Sequence, residues 1–129
     1  MLATSFPEYA RSITDFLDAA VAAGNIVLRS LEVDPRSSLQ GFIAGILQFD
    51  DGSTLHFREF VNVAHNAPKL MYVYHYQDAA TNLIFRYDNA AHKPALPQPE
   101  HKHTPSSVEI FPAPELTEVL DEILKQENS

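Results

Sequence analysis

Apolar residues recur at helical spacing in one stretch near each end of the chain. In the first stretch, FPEYARSITDFLDAAVAAG, they lie three or four positions apart, and Pro7 suits the first turn of a helix. Gly24 followed by Asn25 is a typical helix end. In the second stretch, APELTEVLDEILKQENS, the apolar stripe comprises Leu116, Val119, Leu120, Ile123 and Leu124. The spacing predicts one helix over residues 1–24 and another over residues 114–127.

Between these stretches, apolar and polar residues alternate, which is typical of half-buried strands. The segment NIVLRSLEV predicts a first strand. The segments GFIAGILQF and STLHFREFVNV flank Asp50-Asp51-Gly52, and KLMYVYHYQ and NLIFRYD flank residues 78–81. Both connections are typical of hairpins, the first because Gly52 can adopt the positive φ of a tight turn. The pattern therefore predicts five mainly antiparallel strands over residues 25–89.

Alternation also assigns the side chains of the fourth predicted strand to two faces. One face carries Tyr72, Tyr74 and Tyr76, and the other carries Met71, Val73 and His75. We expect the tyrosine face to form the core beneath the helices, with stacking of RNA bases as the alternative. The predicted register pairs Gln77 with Asn82. It places His75 beside Ile84 and diagonal to Arg86, and a slip of one residue would reverse this arrangement.

Proline dominates the segment between the last predicted strand and the second helix. Six of the nine prolines lie between Pro94 and Pro114, and proline neither donates to a sheet nor fits a helix interior. The composition predicts a long loop over residues 90–113, with one short strand at Ser107–Ile110. The order of elements indicates a single α+β domain over residues 1–129, with both helices packed on one face of the sheet.

Composition excludes several classes of protein. The chain of 129 residues has no cysteine, which excludes disulfide frameworks and thiol chemistry. No apolar run approaches the length of a membrane span, and the start of the chain lacks the pattern of a signal peptide. We therefore expect a cytoplasmic protein without membrane contact. The net charge of −8 argues against non-specific binding of nucleic acid.

The charge is distributed unevenly along the chain. From Glu109 onward, six acidic residues face one lysine, which gives a net charge of −5. Residues 86–105 carry three basic and two acidic residues, a net charge of +1 that rises to +4 when the three histidines are protonated. A basic patch on an acidic body suits a defined anionic ligand or an acidic protein partner. The acidic C-terminal helix is either a solvated face or a contact for a basic partner.

Residues 86–105, RYDNAAHKPALPQPEHKHTP, also concentrate the candidate chemistry. Arg86 offers a planar fork for phosphate or carboxylate, and Asp88 can orient an imidazole. Both residues close a strand that opens into a long loop, which is a common place for binding residues. Asn89 follows them as a candidate binding residue. The alternative is structural, with a salt bridge between Arg86 and Asp88 and a turn at Asn89.

Three histidines, His92, His101 and His103, follow in the same segment. An H-x-H pair can bind a transition metal, and together with Asp88 and His92 it could hold zinc or manganese. The alternative is that the histidines of a proline-rich loop are solvated. Lys102, between the two histidines of the pair, is a candidate contact for an anion.

Arg58-Glu59 and His75 occupy neighbouring predicted strands. Alternation places Glu59 on the inner, apolar face of its strand, where a carboxylate is buried unless the strand has left the core. At the rim of the sheet, near Arg86, Glu59 could act as a general base or as a hydrogen-bonded anchor. The alternative is a solvated charge at the end of the strand.

Several of these segments together resemble a known family. FDDGSTLHFREF, YVYHYQDAATNLIFRYDNAAH and PEHKH, followed by a short amphipathic helix, resemble the TumE toxin family over about residues 25–124. The chain departs from the family at Ala91-His92-Lys93, where a proline and a histidine pair are usual. It departs again at Glu100-His101, where a second histidine pair is usual. The matching positions are Glu59, Tyr74, His75, Tyr76, Arg86, Tyr87, Asp88, Asn89, His92, His101, Lys102 and His103.

The resemblance implies the toxin of a bacterial or archaeal toxin–antitoxin pair, whose partner is a DNA-binding antitoxin encoded by the adjacent gene. It does not supply a reaction. Our first hypothesis is a metal-independent ribonuclease, because two imidazoles can serve as base and acid on RNA. The candidate residues are His103 or His101 as base, His92 or His75 as acid, Arg86 as phosphate clamp and Asp88 as orienting carboxylate.

Two alternatives belong to other classes of function. The first is a binding module without catalysis, in which the long loop contacts a protein or RNA partner. The second is a histidine-based metal-binding protein. Self-association stays open under all three hypotheses.

Overall fold

The computed structural model describes residues 3–90 and 98–127, with side chains described as far as Lys125. The described residues form two helices, α1 (Phe6–Ala22) and α2 (Leu116–Glu127), neither of which is long and apolar enough to cross a membrane. The strands are β1 (Ile26–Pro35), β2 (Gln40–Phe49), β3 (Thr54–Asn62), β4 (Lys69–Gln77), β5 (Leu83–Asp88), β6 (His101–Thr104) and β7 (Ser107–Ile110). All seven form one antiparallel sheet in chain order. The α+β prediction is confirmed, whereas the predicted number of five strands is wrong.

Helix α1 begins and ends close to where the sequence predicts. The Ser5 side chain caps its first turn by accepting a hydrogen bond from the Glu8 backbone N–H at 3.2 Å. After the last turn, Gly24 (φ 98°) adopts the left-handed conformation that commonly ends a helix. Phe6 is fully buried and packs over Gly41 of β2, where a Cβ atom would lie 2.4 Å from the ring. The first turn of the helix is thereby fixed against the sheet.

One face of the sheet carries the core and is covered by both helices. Its buried side chains on β3, β4 and β5 include Leu55, Phe57, Tyr72, Tyr74, Tyr76, Phe85 and Tyr87. The helices contribute Phe6, Leu17, Leu116, Val119, Leu120 and Ile123. The prediction that the tyrosines of β4 belong to the core is therefore confirmed. We call this side of the sheet the helix face and the opposite side the open face.

The hairpin between β4 and β5 has a different register from the predicted one. Gln77 pairs with Leu83 rather than with Asn82, and a bulge at Ile84 of β5 separates this pair from the pair of Tyr76 with Phe85. As a result, His75 lies directly opposite Arg86 instead of diagonal to it. The two side chains therefore share the open face as nearest cross-strand neighbours.

The turn between these strands explains the shifted register. Asp78 Oδ1 accepts hydrogen bonds from the backbone N–H groups of Ala80 and Asn82, both at 2.9 Å. Thr81 adopts a positive φ of 69° between them. The side chain of Asp78 thus draws Asn82 into the turn, and such local side-chain bonding competes with strand pairing.

Strands β6 and β7 lie in the segment predicted to be a loop. β6 pairs with β5, and β7 pairs with β6. The prediction of a loop over residues 90–113 is wrong for His101–Thr104, whereas the short strand at Ser107–Ile110 is confirmed. Pro105 does not interrupt the pairing because it lies in the short turn between the two strands, where its fixed φ is favourable. Residues 91–97 of the predicted loop lie outside the described residues.

Candidate functional site

Four neighbouring strands contribute one side chain each to a row across the open face. The pairing sets His56 of β3 opposite His75 of β4, and His75 opposite Arg86 of β5. Arg86 in turn lies opposite His103 of β6. Adjacent strands lie about 4.8 Å apart, so Arg86 has a histidine on each side at that spacing. We call these four residues the open-face row.

The carboxylate of Asp88 holds Arg86 in place from the next open-face position of β5. Its Oδ2 lies 2.7 Å from Arg86 Nε, and its Oδ1 lies 2.8 Å from His101 Nε2. The Ala90 backbone N–H also donates to Oδ1, at 3.2 Å. Because the Asp88 side chain is only 4% exposed, these hydrogen bonds compensate a buried charge. The salt bridge considered for Arg86 and Asp88 is present, and the same carboxylate also contacts an imidazole.

The two histidines of β6 have different environments. His101 is 2% exposed, and its Nδ1 lies 2.6 Å from the Pro99 carbonyl oxygen while its Nε2 faces Asp88. A carbonyl oxygen can only accept, so Nδ1 carries a proton and the ring is fixed in orientation. His103 is 24% exposed, and its Nε2 lies 4.0 Å from Asp88 Oδ2. His103 is therefore the histidine of this pair that a ligand on the open face can reach.

His75 is held as a neutral imidazole beside Arg86. Its Nδ1 lies 3.3 Å from Arg86 Nη1, and its Nε2 lies 3.1 Å from Gln77 Oε1. A guanidinium only donates, so Nδ1 accepts and Nε2 donates to Gln77. Burial lowers the pKa of His75, and the positive charges of Arg86 and His56 act in the same direction, against the opposing effect of the Gln77 hydrogen bond. The ring is thus uncharged at neutral pH.

A groove of about 730 Å³ lies on the open face above β1 to β5. Its floor is partly apolar, with Ala44, Ile46 and Val73 among the lining residues. Its charged and hydrogen-bonding side chains include Glu32, His56, Arg58, His75, Gln77 and Arg86. Two guanidinium groups therefore face one carboxylate. An apolar floor with a few convergent polar groups is typical of a ligand site, and the balance of charge favours an anion.

Two predicted binding residues lie outside this groove. Lys102 projects to the helix face, where its Nζ donates to Glu122 Oε2 at 3.0 Å. Asn89 holds the edge of β4, since its Oδ1 accepts from the Tyr72 backbone N–H at 3.1 Å and its Nδ2 donates to the Leu70 carbonyl at 3.0 Å. Both side chains therefore connect elements of the fold. His92, another predicted site residue, lies outside the described residues.

Glu59 is buried in the core, on the face opposite to Arg86. The prediction that it points inward is confirmed, because its side chain is on the helix face and the residue is only 1% exposed. The predicted position at the rim near Arg86 is wrong. The hydroxyl groups of Tyr9 and Tyr74 both donate to the Glu59 carboxylate. Burial, and after it the charge of Glu59, raises the pKa of both tyrosines.

His56 was not among the predicted site residues, and Arg58 was considered only as the neighbour of Glu59. Both side chains are exposed on the open face and line the groove. Alternation in STLHFREF indicates that they share a face, opposite to Leu55 and Phe57. Their proximity to His75 depends on the pairing of β3 with β4, which alternation alone does not give.

Three of the four residues considered for a metal site converge. Asp88, His101 and His103 each offer a ligand atom, and these atoms lie within 4.8 Å of one another. The donor set suits zinc or manganese. However, Arg86 Nε already bonds Asp88 Oδ2, and His101 Nε2 bonds Oδ1. A cation would have to displace both contacts and would lie beside a guanidinium, so this group is better suited to hydrogen bonding than to a divalent ion.

Comparison with known proteins assigns the chain to a family. The family model described as Toxin TumE matches residues 16–128, which is nearly the whole chain. No curated protein and no solved structure matches. The matched range contains all of the sheet, including the open-face row and Asp88. The family implies an antitoxin as the partner of such a toxin-like protein. The chain therefore belongs to the TumE toxin family.

Proposed function

We propose that the open face is the active site of a ribonuclease toxin that cleaves RNA without a metal ion. The observation that carries the proposal is the position of Arg86 between His75 and His103 on adjacent strands. A phosphodiester bound to the guanidinium would have an imidazole on each side, with the two histidine Cα atoms about 10 Å apart. In-line displacement at phosphorus needs a base and an acid on opposite sides of the phosphate in this way.

In the proposed step, the 2′-oxygen of the substrate attacks the adjacent phosphorus. Its proton passes to His75, the bond from phosphorus to the 5′-oxygen breaks, and the leaving oxygen takes a proton from His103. The products are a 2′,3′-cyclic phosphate and a 5′-hydroxyl, so the step consumes no water. Arg86 would stabilise the additional negative charge on the phosphate oxygens.

Charge supports this assignment of roles. His75 is neutral because its pKa is lowered, first by burial and then by Arg86 and His56, so it can accept a proton. His103 lies 4.0 Å from the Asp88 carboxylate, whose negative charge stabilises a positive ring. The assignment reverses the sequence-based hypothesis, which had His103 or His101 as base and His92 or His75 as acid. A phosphate on Arg86 would also compete for Nη1 and release His75 Nδ1 toward the substrate.

Asp88 and His101 are positioning residues in this proposal. Asp88 fixes Arg86 Nε at 2.7 Å and leaves the guanidinium edge directed at a ligand, while His101 fixes the other oxygen of the same carboxylate. Neither side chain is accessible enough to contact RNA, since both are at most 4% exposed. Their contribution is to keep the charged groups from reorganising when substrate binds.

The test is cleavage of bacterial RNA by antitoxin-free protein in excess chelator. We expect wild-type protein to give fragments that end in a 2′,3′-cyclic phosphate, and an all-deoxy oligonucleotide to stay intact. His75→Ala and His103→Ala should each lower the rate about 100-fold or more. His65→Ala is the matched control, because His65 is exposed on the loop after β3, outside the open-face row.

Three outcomes would contradict the proposal. Equal rates for wild type and both variants would mean that the row is not the catalytic site. Cleavage that stops in chelator and returns with zinc or manganese would favour the metal hypothesis at Asp88, His101 and His103. Binding of RNA without cleavage would favour the second candidate, a binding module that uses the same groove.

We also infer that the antitoxin is a DNA-binding protein encoded by the adjacent gene, and that the toxin acts in the cytoplasm, where its RNA substrate is found. The acidic surface of α2 supports a basic partner, since Glu118 and Asp121 are exposed there. Co-purification of the toxin with the product of the adjacent gene would test this inference. Loss of the complex in Glu118→Lys with Asp121→Lys is the expected result.

A further inference from the structure

A stack of three planar groups lies on the open face, away from the open-face row. The rings of Phe42 and Phe60 lie opposite each other on β2 and β3, with centroids 4.6 Å apart and an interplanar angle of 15°. The Arg36 guanidinium carbon lies 5.0 Å from the centroid of the Phe42 ring. Both phenylalanines are only partly buried. The order of the stack is therefore Arg36, Phe42, Phe60, ending on the side of β4.

The groove, which is lined by three residues of the open-face row, adjoins a smaller cavity beside this stack. Along β3, successive open-face side chains are His56, Arg58 and Phe60, about 6.8 Å apart. Arg58 lines the groove and also a smaller cavity of about 180 Å³, whose other walls include Arg36 and Phe42. One guanidinium thus lies midway between the row and the aromatic stack. The spacing favours a chain-like ligand with a repeating negative charge.

The composition of this track matches a single-stranded nucleic acid. Aromatic rings and guanidinium planes stack with nucleobases, and they do so without strong preference for sequence. Arg58 offers a fork for a phosphate. A duplex could not use the track, because its bases already stack on each other inside the helix. Glu32 and Asp34 line the β1 side of the smaller cavity and would keep phosphates on the side of Arg58.

We propose that Phe42 and Phe60 form a stacking subsite for a base of single-stranded RNA, with Arg58 holding the phosphate between this base and the open-face row. The inference rests on the proposed function and specifies its substrate as unpaired RNA. It also specifies sequence-tolerant binding, because the subsite offers planar surfaces rather than hydrogen bonds to base edges.

The test is binding of an uncleavable probe, which separates the subsite from the reaction. The probe is a fluorescein-labelled 2′-deoxy oligonucleotide of mixed sequence and about 12 nucleotides, within the site sizes of single-strand-binding folds. Fluorescence anisotropy would give the dissociation constant of the single strand and of its duplex. We expect the single strand to bind at least tenfold more tightly than the duplex.

Matched variants locate the contact. Phe42→Leu and Phe60→Leu keep apolar bulk and should weaken single-strand binding about tenfold each. Phe111→Leu is the control, because Phe111 is also a partly exposed phenylalanine but lies against Tyr87 and Lys102, away from the aromatic stack. Thermal melting of each variant shows whether it is folded, and Arg58→Gln, which leaves the aromatic pair intact, should weaken binding and reduce its salt dependence.

The outcomes distinguish the subsite from the proposed reaction. Phenylalanine variants that bind like wild type, or a duplex that binds as tightly as the single strand, would overturn the subsite even if RNA is cleaved. Phenylalanine-dependent binding without any cleavage of RNA would support the subsite and overturn the ribonuclease. A wild-type protein that binds neither probe would overturn the subsite, while the cleavage of RNA alone decides the proposed reaction.

Discussion

Arg86 Nε lies 2.7 Å from Oδ2 of Asp88, a side chain that is 4% exposed, whereas the arginine itself is 38% exposed. The pair therefore spans the boundary between the interior and the groove. Its buried end cannot move without leaving a charge uncompensated. Its exposed end can still interact with a ligand. Because Asp88 holds the guanidinium in place, Arg86 presents a fixed positive charge to the groove.

Replacement of Asp88 should cost both stability and activity. Asp88→Asn removes the charge that Arg86 and His101 share, so we expect the free energy of unfolding to fall by about 2 kcal/mol. This is less than the roughly 3–5 kcal/mol for a fully buried pair, because Arg86 is partly exposed. Urea unfolding would measure the change. Asp34→Asn is the control, since the pair of Asp34 with Arg36 is more than half exposed and should contribute under about 0.5 kcal/mol. Equal effects of the two substitutions would contradict the role of Asp88.

Charge alone should not replace Arg86. Arg86→Lys keeps the positive charge but loses the planar fork that contacts Asp88 and His75 together. We expect the rate of RNA cleavage to fall about 100-fold, because a misplaced cation stabilises the transition state poorly. Single-turnover cleavage would measure it. Arg29→Lys is a suitable comparison, since Arg29 is exposed and bonds Gln48 outside the groove, and its rate should not change.

The lowered pKa of His75 predicts a dependence of stability on pH. Its unfolded value is near 6.5 and its folded value lies below that, so between the two values the unfolded state binds more protons. The contribution of His75 to the free energy of unfolding is therefore fully present above pH 6.5. It is lost as the pH falls through the pKa of His75 in the folded protein. We expect His75→Asn to lose less stability than wild type between pH 7.5 and pH 5.5, as measured by urea unfolding at each pH. Parallel curves for the two proteins would contradict a neutral, partly buried His75 ring.

Lys102 and His103 should respond differently although they are adjacent in β6. Lys102 lies on the helix face, between Glu122 and the rings of Phe85, Tyr87 and Phe111. Lys102→Met should lower the free energy of unfolding by about 1 kcal/mol, with little effect on the cleavage rate of the folded protein. His103→Ala should instead lower the cleavage rate strongly, with little effect on the free energy of unfolding. A large loss of activity with a stable Lys102→Met protein would place the lysine in the site after all.

Alternation predicted the parts of the fold in which each residue has only two choices of face. It correctly assigned the tyrosines of β4 to the core and Glu59 to the inner face, because burial follows the period of the strand. It could not show that Tyr9 of α1 supplies a hydroxyl to Glu59, since that contact joins residues far apart in the chain. Without that contact, a buried Glu59 had no visible hydrogen-bond partner, and the sequence favoured a position at the rim of the sheet instead.

The pairing between strands, on which the candidate site depends, was harder to predict from the sequence than the faces of the strands. The open-face row depends on three registers, and one of them is shifted by the hydrogen bonds of Asp78 in the turn before β5. The row also depends on β6, which the proline content of the segment concealed. Residues 86–105 could be identified as chemically rich, but His75, which lies opposite Arg86, and His56, which lies opposite His75, come from strands earlier in the chain.

Strand β6 is only four residues long, yet consecutive side chains in it serve opposite sides of the sheet. Lys102 connects the strand to Glu122 of α2 on the helix face. His101 and His103 face Asp88 of β5 on the open face. A single short backbone segment therefore connects the packing of α2 with the positions of both imidazoles. In the proposed ribonuclease, a protein that binds α2 and shifts it along the sheet would therefore move these imidazoles from the helix face, without occupying the RNA site on the open face.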